Sequence, residues 1–244
     1  MSSTNENWRQ LHFLYRSYKL VQDVRISFDN TERNYRRDWQ KYMEEVHQDP
    51  LELVWELGKF MKQRFIKSTF GKKEENPWSE KSWASKATVA LQCNRTYVEY
   101  LGKLYGFGSP ILACGLLGMI GDPSKFKGLQ SLWHYCGLHV GKDGRAPKRK
   151  RGEKMSWNPL LKALLLESIG KTLIRKQSKY RQIFEKYMTE EKTKHDWKTC
   201  EQCQEVYEKS KKNTEKLHVF NRAKRKVVKD FLKDLWSYWH GNLP

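Results

Sequence analysis

The chain has 244 residues and carries 47 Lys and Arg against 28 Asp and Glu, a formal charge of +19 with a pI near 9.7. That length suffices to bury a real core, as one domain or two small ones, and the charge excess points to a polyanionic partner held by salt-sensitive contacts. No stretch approaches the roughly 18 apolar residues of a membrane span, and the polar start Met1 to Asn7 does not read as a signal peptide. The expectation is a soluble intracellular protein without a membrane partner, cytoplasmic or nucleoid-associated, or nuclear if the source is eukaryotic.

Residues 8–70 hold a single proline, Pro50, and a single glycine, Gly58. Trp8, Leu11, Leu14, Tyr18 and Val21 recur at helical spacing. A break at Asp29-Asn30-Thr31 separates them from a second helical pattern through Tyr35, Trp39, Met43 and Val46. A third pattern follows Asp49-Pro50, through Leu53, Val54, Leu57, Phe60, Met61 and Phe65, and Gly71 to Pro77 reads as a charged linker. From Trp83 the composition changes, and twelve of the fifteen glycines fall between Gly102 and Gly170. The spacing predicts helices over roughly 87–105, 109–120, 128–136 and 157–176, with Ser156 as N-cap of the last. Beyond Gln177 helical patterns return around Tyr180 to Met188 and from Leu217 to Trp239. The predicted fold is all-α, a helical bundle in three parts: an N-terminal helical region over 1–75, a central domain over 84–176 and a C-terminal helical region over 177–244.

Three constellations carry chemistry. The first is Gly106-Phe107-Gly108 followed by Ser109-Pro110 and the apolar run Ile111 to Ile120. Glycines permit the tight corner of a helix–hairpin–helix, Ser109 suits an N-cap and Pro110 a first helical position. The free N–H groups at such a corner, aided by the helix dipole, can cradle a phosphate. Helix–Gly-h-Gly–helix also occurs where two helices simply pack closely. Gly115 and Gly118, three apart, would let another helix approach the second arm. Asp122-Pro123 marks a corner after that arm, and Lys125 and Lys127 then stand where they could flank a phosphate track.

The second constellation runs from Lys142 to Lys154, with Lys142, Arg145, Lys148, Arg149, Lys150, Arg151 and Lys154 opposed only by Asp143 and Glu153. Such a loop repels itself in isolation and orders against a nucleic-acid backbone, where Arg binds phosphate bidentately. Pro147 to Arg151 also reads as a nuclear-localisation signal. The third is His195-x4-Cys200-x2-Cys203-x14-His218, which can supply four tetrahedral zinc ligands. Its histidine spacings are not those of a standard finger, and two cysteines three apart also share a helix face by chance. The other cysteines, Cys93, Cys114 and Cys136, make no pattern; Cys114 and Cys136 lie in apolar stretches and read as core. The odd total and irregular spacing argue against a secreted disulfide framework. No catalytic residue stands out, since the carboxylates lie among lysines on helical surfaces.

Residues of about 100–176 resemble the C-terminal helical domain of the bridge-RNA insertion-sequence transposases (the IS one-ten family, with its IS one-sixteen relatives). The similarity rests on Gly106-Phe107-Gly108, on Met119-Ile120-Gly121-Asp122-Pro123-Ser124-Lys125-Phe126, on Leu132-Trp133-His134-Tyr135-Cys136-Gly137-Leu138 and on the helix of Asn158 to Leu166. The tail Asn221-Arg222-Ala223-Lys224-Arg225-Lys226-Val227-Val228-Lys229 is similar to the A-x-R-K segment ending many members. Two departures matter. The family's N-terminal resolvase-like nuclease domain is not legible in residues 1–75, and Gly141-Lys142-Asp143-Gly144 stands where the family has its serine. The resemblance therefore implies the nucleic-acid-binding part without the cutting chemistry. The expectation is a non-catalytic DNA-binding protein that holds duplex or branched DNA by its backbone, with a second copy of the chain or a nuclease as further partner. RNA is the other expected ligand. The competing classes are an active transposase, recombinase or nuclease, an RNA-binding module and a helical adaptor.

Overall fold

The computed structural model describes residues 3–46, 80–104, 107, 109–141, 145–148, 152, 155–175, 178–210 and 215–241. Among the described residues every regular element is helical. The elements are α1 (Ser3–Val46), α2 (Glu80–Gln92), α3 (Arg95–Glu99), α4 (Pro110–Ile120) and α5 (Leu129–Tyr135). Then come α6 (159–173, with a π-helical segment Leu164–Ile169), α7 (Lys179–Lys194), α8 (Glu201–Ser210) and α9 (Glu215–Trp239). The third N-terminal pattern, Leu53 to Phe65, and the linker Gly71 to Pro77 lie outside the described residues.

The core forms around α4, whose sequence PILACGLLGMI contains no charge to keep any face in water. Ile111, Ala113, Cys114, Leu116, Leu117, Met119 and Ile120 are all buried. α1 crosses it at very close range, because Gly115 and Gly118 present no side chain there. A Cβ on Gly118 would collide with the backbone of His12, and one on Gly115 would sit 2.6 Å from the Tyr15 ring. The Cys114 thiol donates to the Leu11 carbonyl at 2.9 Å across the same crossing, and burial pushes that thiol up to about 12. α2 joins them through Ala87, Ala90 and Leu91, and Arg25 of α1 pairs with Glu80 at the start of α2 at 2.5 Å.

On the far side of α4, α7 and α9 pack antiparallel. Lys179 meets Asp234, Tyr187 donates to Asp230, and Lys226 and Arg222 both reach Glu191. The apolar stripe of α9, Val219, Ala223, Val227, Val228, Phe231, Leu232 and Leu235, faces inward at helical spacing. Phe231 touches Phe107 at 5.3 Å and Tyr180 edge-on at 5.9 Å. A single apolar cluster runs from Leu11 through Leu101, Ile120 and Leu161 to Leu235, so it draws on all three parts of the chain.

Several sequence expectations need correction. The backbone of α1 continues through Asp29-Asn30-Thr31. Those residues are only mildly poor helix formers, a few tenths of a kcal/mol each, and neither proline nor glycine stands among them to stop the helix. The helix expected over 87–105 begins earlier and divides at Asn94, whose side chain accepts the Tyr97 N–H and starts α3. Ser156 does not cap α6. Asn158 does, accepting both the Leu160 and Leu161 N–H groups at 3.1 Å with Pro159 in the first helical position. Ser109 occupies the N-cap position of α4 with extended backbone, yet its side chain makes no capping bond. The apolar spacing predicts no helix where α8 lies.

Candidate metal centre and basic cleft

Three helix ends meet at the four predicted metal ligands. His195 follows the last turn of α7, Cys200 precedes α8, Cys203 lies in the first turn of α8, and His218 in the first turn of α9. Their ligand atoms all lie within 4.8 Å of one another. Cys203 Sγ is 3.1 Å from His218 Nδ1 and 3.4 Å from His195 Nε2, and Cys200 Sγ is 3.6 Å from His218 Nδ1. A zinc ion with its usual bond lengths sets sulfur and nitrogen ligands about 3.5 Å apart. His195 and Cys203 are buried. Burial, reinforced by the nearby His195, holds His218 below its ordinary value and so favours the neutral imidazole that a metal needs. This cluster can hold a metal ion.

The basic loop is tethered at its foot. Arg145 Nη2 bonds Glu201 at 3.0 Å and Glu205 at 2.9 Å, both on α8, and the Gly141 N–H donates to the Arg145 carbonyl. Lys162 of α6 donates to the Pro147 carbonyl at 2.5 Å, with its ammonium 4.6 Å over the Trp157 ring. Lys148 is exposed. Lys142, Arg149, Lys150, Arg151 and Lys154 lie outside the described residues, as do Gly106 and Gly108.

Phe107 is fully buried against Phe231. Its side chain anchors the loop to α9 and is not available to a ligand, which corrects its place among the nucleic-acid contacts. Ser109 is exposed at the start of α4. Lys125 turns back to the carboxyl end of α4, where its ammonium donates to the Ile120 carbonyl over the Phe126 and Tyr135 rings. There it complements the negative pole of the helix, and burial lowers its pKa. Lys127 is exposed. Asp122 accepts the Ser124 N–H and serves the turn.

A second basic feature adjoins the metal cluster. An open cleft of about 520 Å3 is lined along α9 by Asn221, Arg222, Arg225, Lys226 and Lys229. Cys200 and Gln202 form its α8 wall, and Val140 and Ala146 flank it. Four cations there face one carboxylate, Glu191, which is taken up by Arg222 at 2.6 Å and Lys226 at 2.7 Å. Arg225 and Lys229 have other cations as their charged neighbours. Burial, then the charge of Arg222, lowers Arg225, while burial, then the charge of Arg225, lowers both Lys229 and Lys162. The Arg225 Nε is buried without a hydrogen-bond partner. The sequence signal was present, since 222, 225, 226 and 229 follow the i, i+3, i+4, i+7 rule of one helix face. Such a stripe ordinarily reads as a solvated surface, and only the fold sets Lys162 against it.

Comparison with protein-family models, curated proteins and solved structures returned no match. Among the described residues no helix is long and apolar enough to cross a membrane.

Proposed function

We propose that this chain is a nucleic-acid-binding protein related to the bridge-RNA insertion-sequence transposases, holding the phosphate backbone of DNA without cutting it. The observation that carries the reading is the α9 cleft, whose Arg222, Arg225, Lys226 and Lys229 face the single carboxylate of Glu191, with Lys162 on α6, which packs against α9; among these cations Lys162, Arg225 and Lys229 form a like-charged group. Three half-buried cations whose charged neighbours are cations lose solvation and repel one another. A fold keeps such a group at a cost in stability, and a polyanion is the ligand that offsets it. The hairpin of Gly106, Phe107, Gly108 and Ser109 and the loop from Lys142 to Lys154 supply further phosphate contacts in this reading. Phe107 fixes the hairpin from within, and the residues beside it meet phosphate. The four-residue metal cluster holds zinc, the ion that two thiolates and two imidazoles in tetrahedral array favour.

The test is a titration of the full chain against duplex, branched and single-stranded DNA and RNA at several salt concentrations. The logarithm of affinity should fall linearly with the logarithm of salt, with little sequence preference. Neutralising Lys148, Arg149, Lys150 and Arg151 together should flatten that slope by about three to four units, at ~0.9 per lost phosphate contact. An unchanged slope would remove the loop from the interface. Absence of binding to every nucleic acid at low salt would overturn the reading as a whole. Tighter binding to single strands, with base stacking on aromatic side chains, would move it to RNA or single-stranded DNA.

A further inference from the structure

The metal cluster and the α9 cleft share residues. Cys200 and His218 belong to both, and Gln202, one residue before the second thiol ligand, lines the cleft. α8, which carries that wall, buries little of itself among the described residues. Along Glu201 to Lys209, Cys203 is the one buried residue. Gln204 reaches only the neighbouring carbonyls of Trp197 and Lys198, and Trp197 packs on Tyr207 within the same short segment. A helix of ten residues with so little apolar burial has small stability of its own. The pair of thiols facing His195 and His218 joins it to the end of α7 and the start of α9.

α8 then passes that position on. Glu201 and Glu205 hold Arg145 at the foot of the basic loop, and Cys200 and Gln202 stand opposite Arg225 and Lys229 across the cleft. Resting on the nucleic-acid reading above, we infer that the α8–α9 cleft is a binding site for backbone phosphodiester and that a zinc ion at His195, Cys200, Cys203 and His218 builds its α8 wall. Metal loading and nucleic-acid binding are then linked, each strengthening the other by the same factor. In the loaded protein the phosphate meets Arg225 and Lys229, the two cleft cations that Glu191 leaves uncompensated, while Arg145 stays paired with Glu201 and Glu205. Without the ion α8 loosens and the wall is lost.

The experiment uses the full reduced chain, either carrying one equivalent of zinc or stripped by chelation, titrated with a fluorescent duplex DNA oligonucleotide at fixed salt. The loaded form should bind roughly tenfold more tightly, a coupling of ordinary size between two sites, and should show the steeper salt dependence. Two variants leave the metal ligands untouched. Arg225→Gln with Lys229→Gln should keep zinc uptake, weaken DNA binding and abolish most of the response to zinc. Glu201→Gln with Glu205→Gln should keep zinc uptake and lower the response. Equal affinity of loaded and stripped protein, with Arg225→Gln and Lys229→Gln still weakening binding, would overturn the linkage and leave the nucleic-acid reading standing. A zinc response that survives in Arg225→Gln with Lys229→Gln would overturn the cleft as its origin. A chain that takes up no zinc overturns the inference, and one that binds no DNA in either form overturns it together with the reading on which it rests.

Discussion

α4 and α8 are nearly equal in length, eleven residues against ten, and are held in opposite ways. α4 has no charged residue and buries most of its surface between α1, α2 and α6, so the hydrophobic effect alone explains its place. α8 buries one thiol and offers carboxylates and amides to its neighbours, with a second thiol, Cys200, just ahead of it. Stability and function thus fall to different parts of this chain. The region around α4 is a frame that stands without ligands, and the region around α8 takes its shape from groups that bind ions.

The largest test of that contrast strikes the frame. Phe231 is fully buried and joins α9 to both Phe107 and Tyr180. Phe231→Ala removes a large aromatic side chain from a packed interior and should cost about 3–5 kcal/mol. The loss should appear as a lower denaturation midpoint of the whole chain by circular dichroism. A variant that melts like the parent would show that the Phe107 and Phe231 contact contributes little and that the hairpin is anchored elsewhere.

The next test strikes the other region. Stripping zinc from the loaded protein should free α8 and the first turn of α9 while α4 keeps its protection. Metal binding in such a cluster is itself folding free energy, and here it falls on one local unit. Amide hydrogen exchange should rise sharply over Glu201–Ser210 and stay low over Pro110–Ile120. Uniform loss of protection would mean that the metal supports the entire fold and that the two regions do not differ as argued.

The same contrast decides what could be read in advance. α4 was legible because an apolar run behind Ser109-Pro110 has one interpretation, and the approach of another helix to Gly115 and Gly118 follows from their lack of side chains. α8 was not legible, because periodicity detects apolar stripes and the buried residue of this helix is a cysteine. Its two thiols were visible as a Cys-x2-Cys pair, while the union of His195 and His218 with them depends on three helix ends meeting. Phe107 looked like a hairpin tip open to a ligand, and its burial depends on Phe231, far along the chain. The basic stripe of α9 could be counted from the sequence. That Lys162 and Arg225 stand close enough to repel is a property of the packing between α6 and α9. The division at Asn94 and the cap at Asn158 went unread, although Pro159 in the first helical position directly follows Asn158.

The smallest prediction concerns that cap, at the seam between the two regions. Asn158 ends the basic loop and begins α6. Its N–H donates to the Tyr135 carbonyl at 2.8 Å, and its side chain satisfies two of the helix's otherwise unpaired N–H groups. Asn158→Ala keeps the backbone bond and loses the cap, a change worth about 1 kcal/mol, or roughly 2–4 °C in melting temperature for a chain of this size. Ser156 is exposed and lies two residues before the cap, so Ser156→Ala should stay within about 0.5 kcal/mol of the parent. Thermal melts of the two variants side by side give the answer. A larger loss from Ser156→Ala would place the start of α6 at Trp157, and the loop would then join the frame two residues earlier than described.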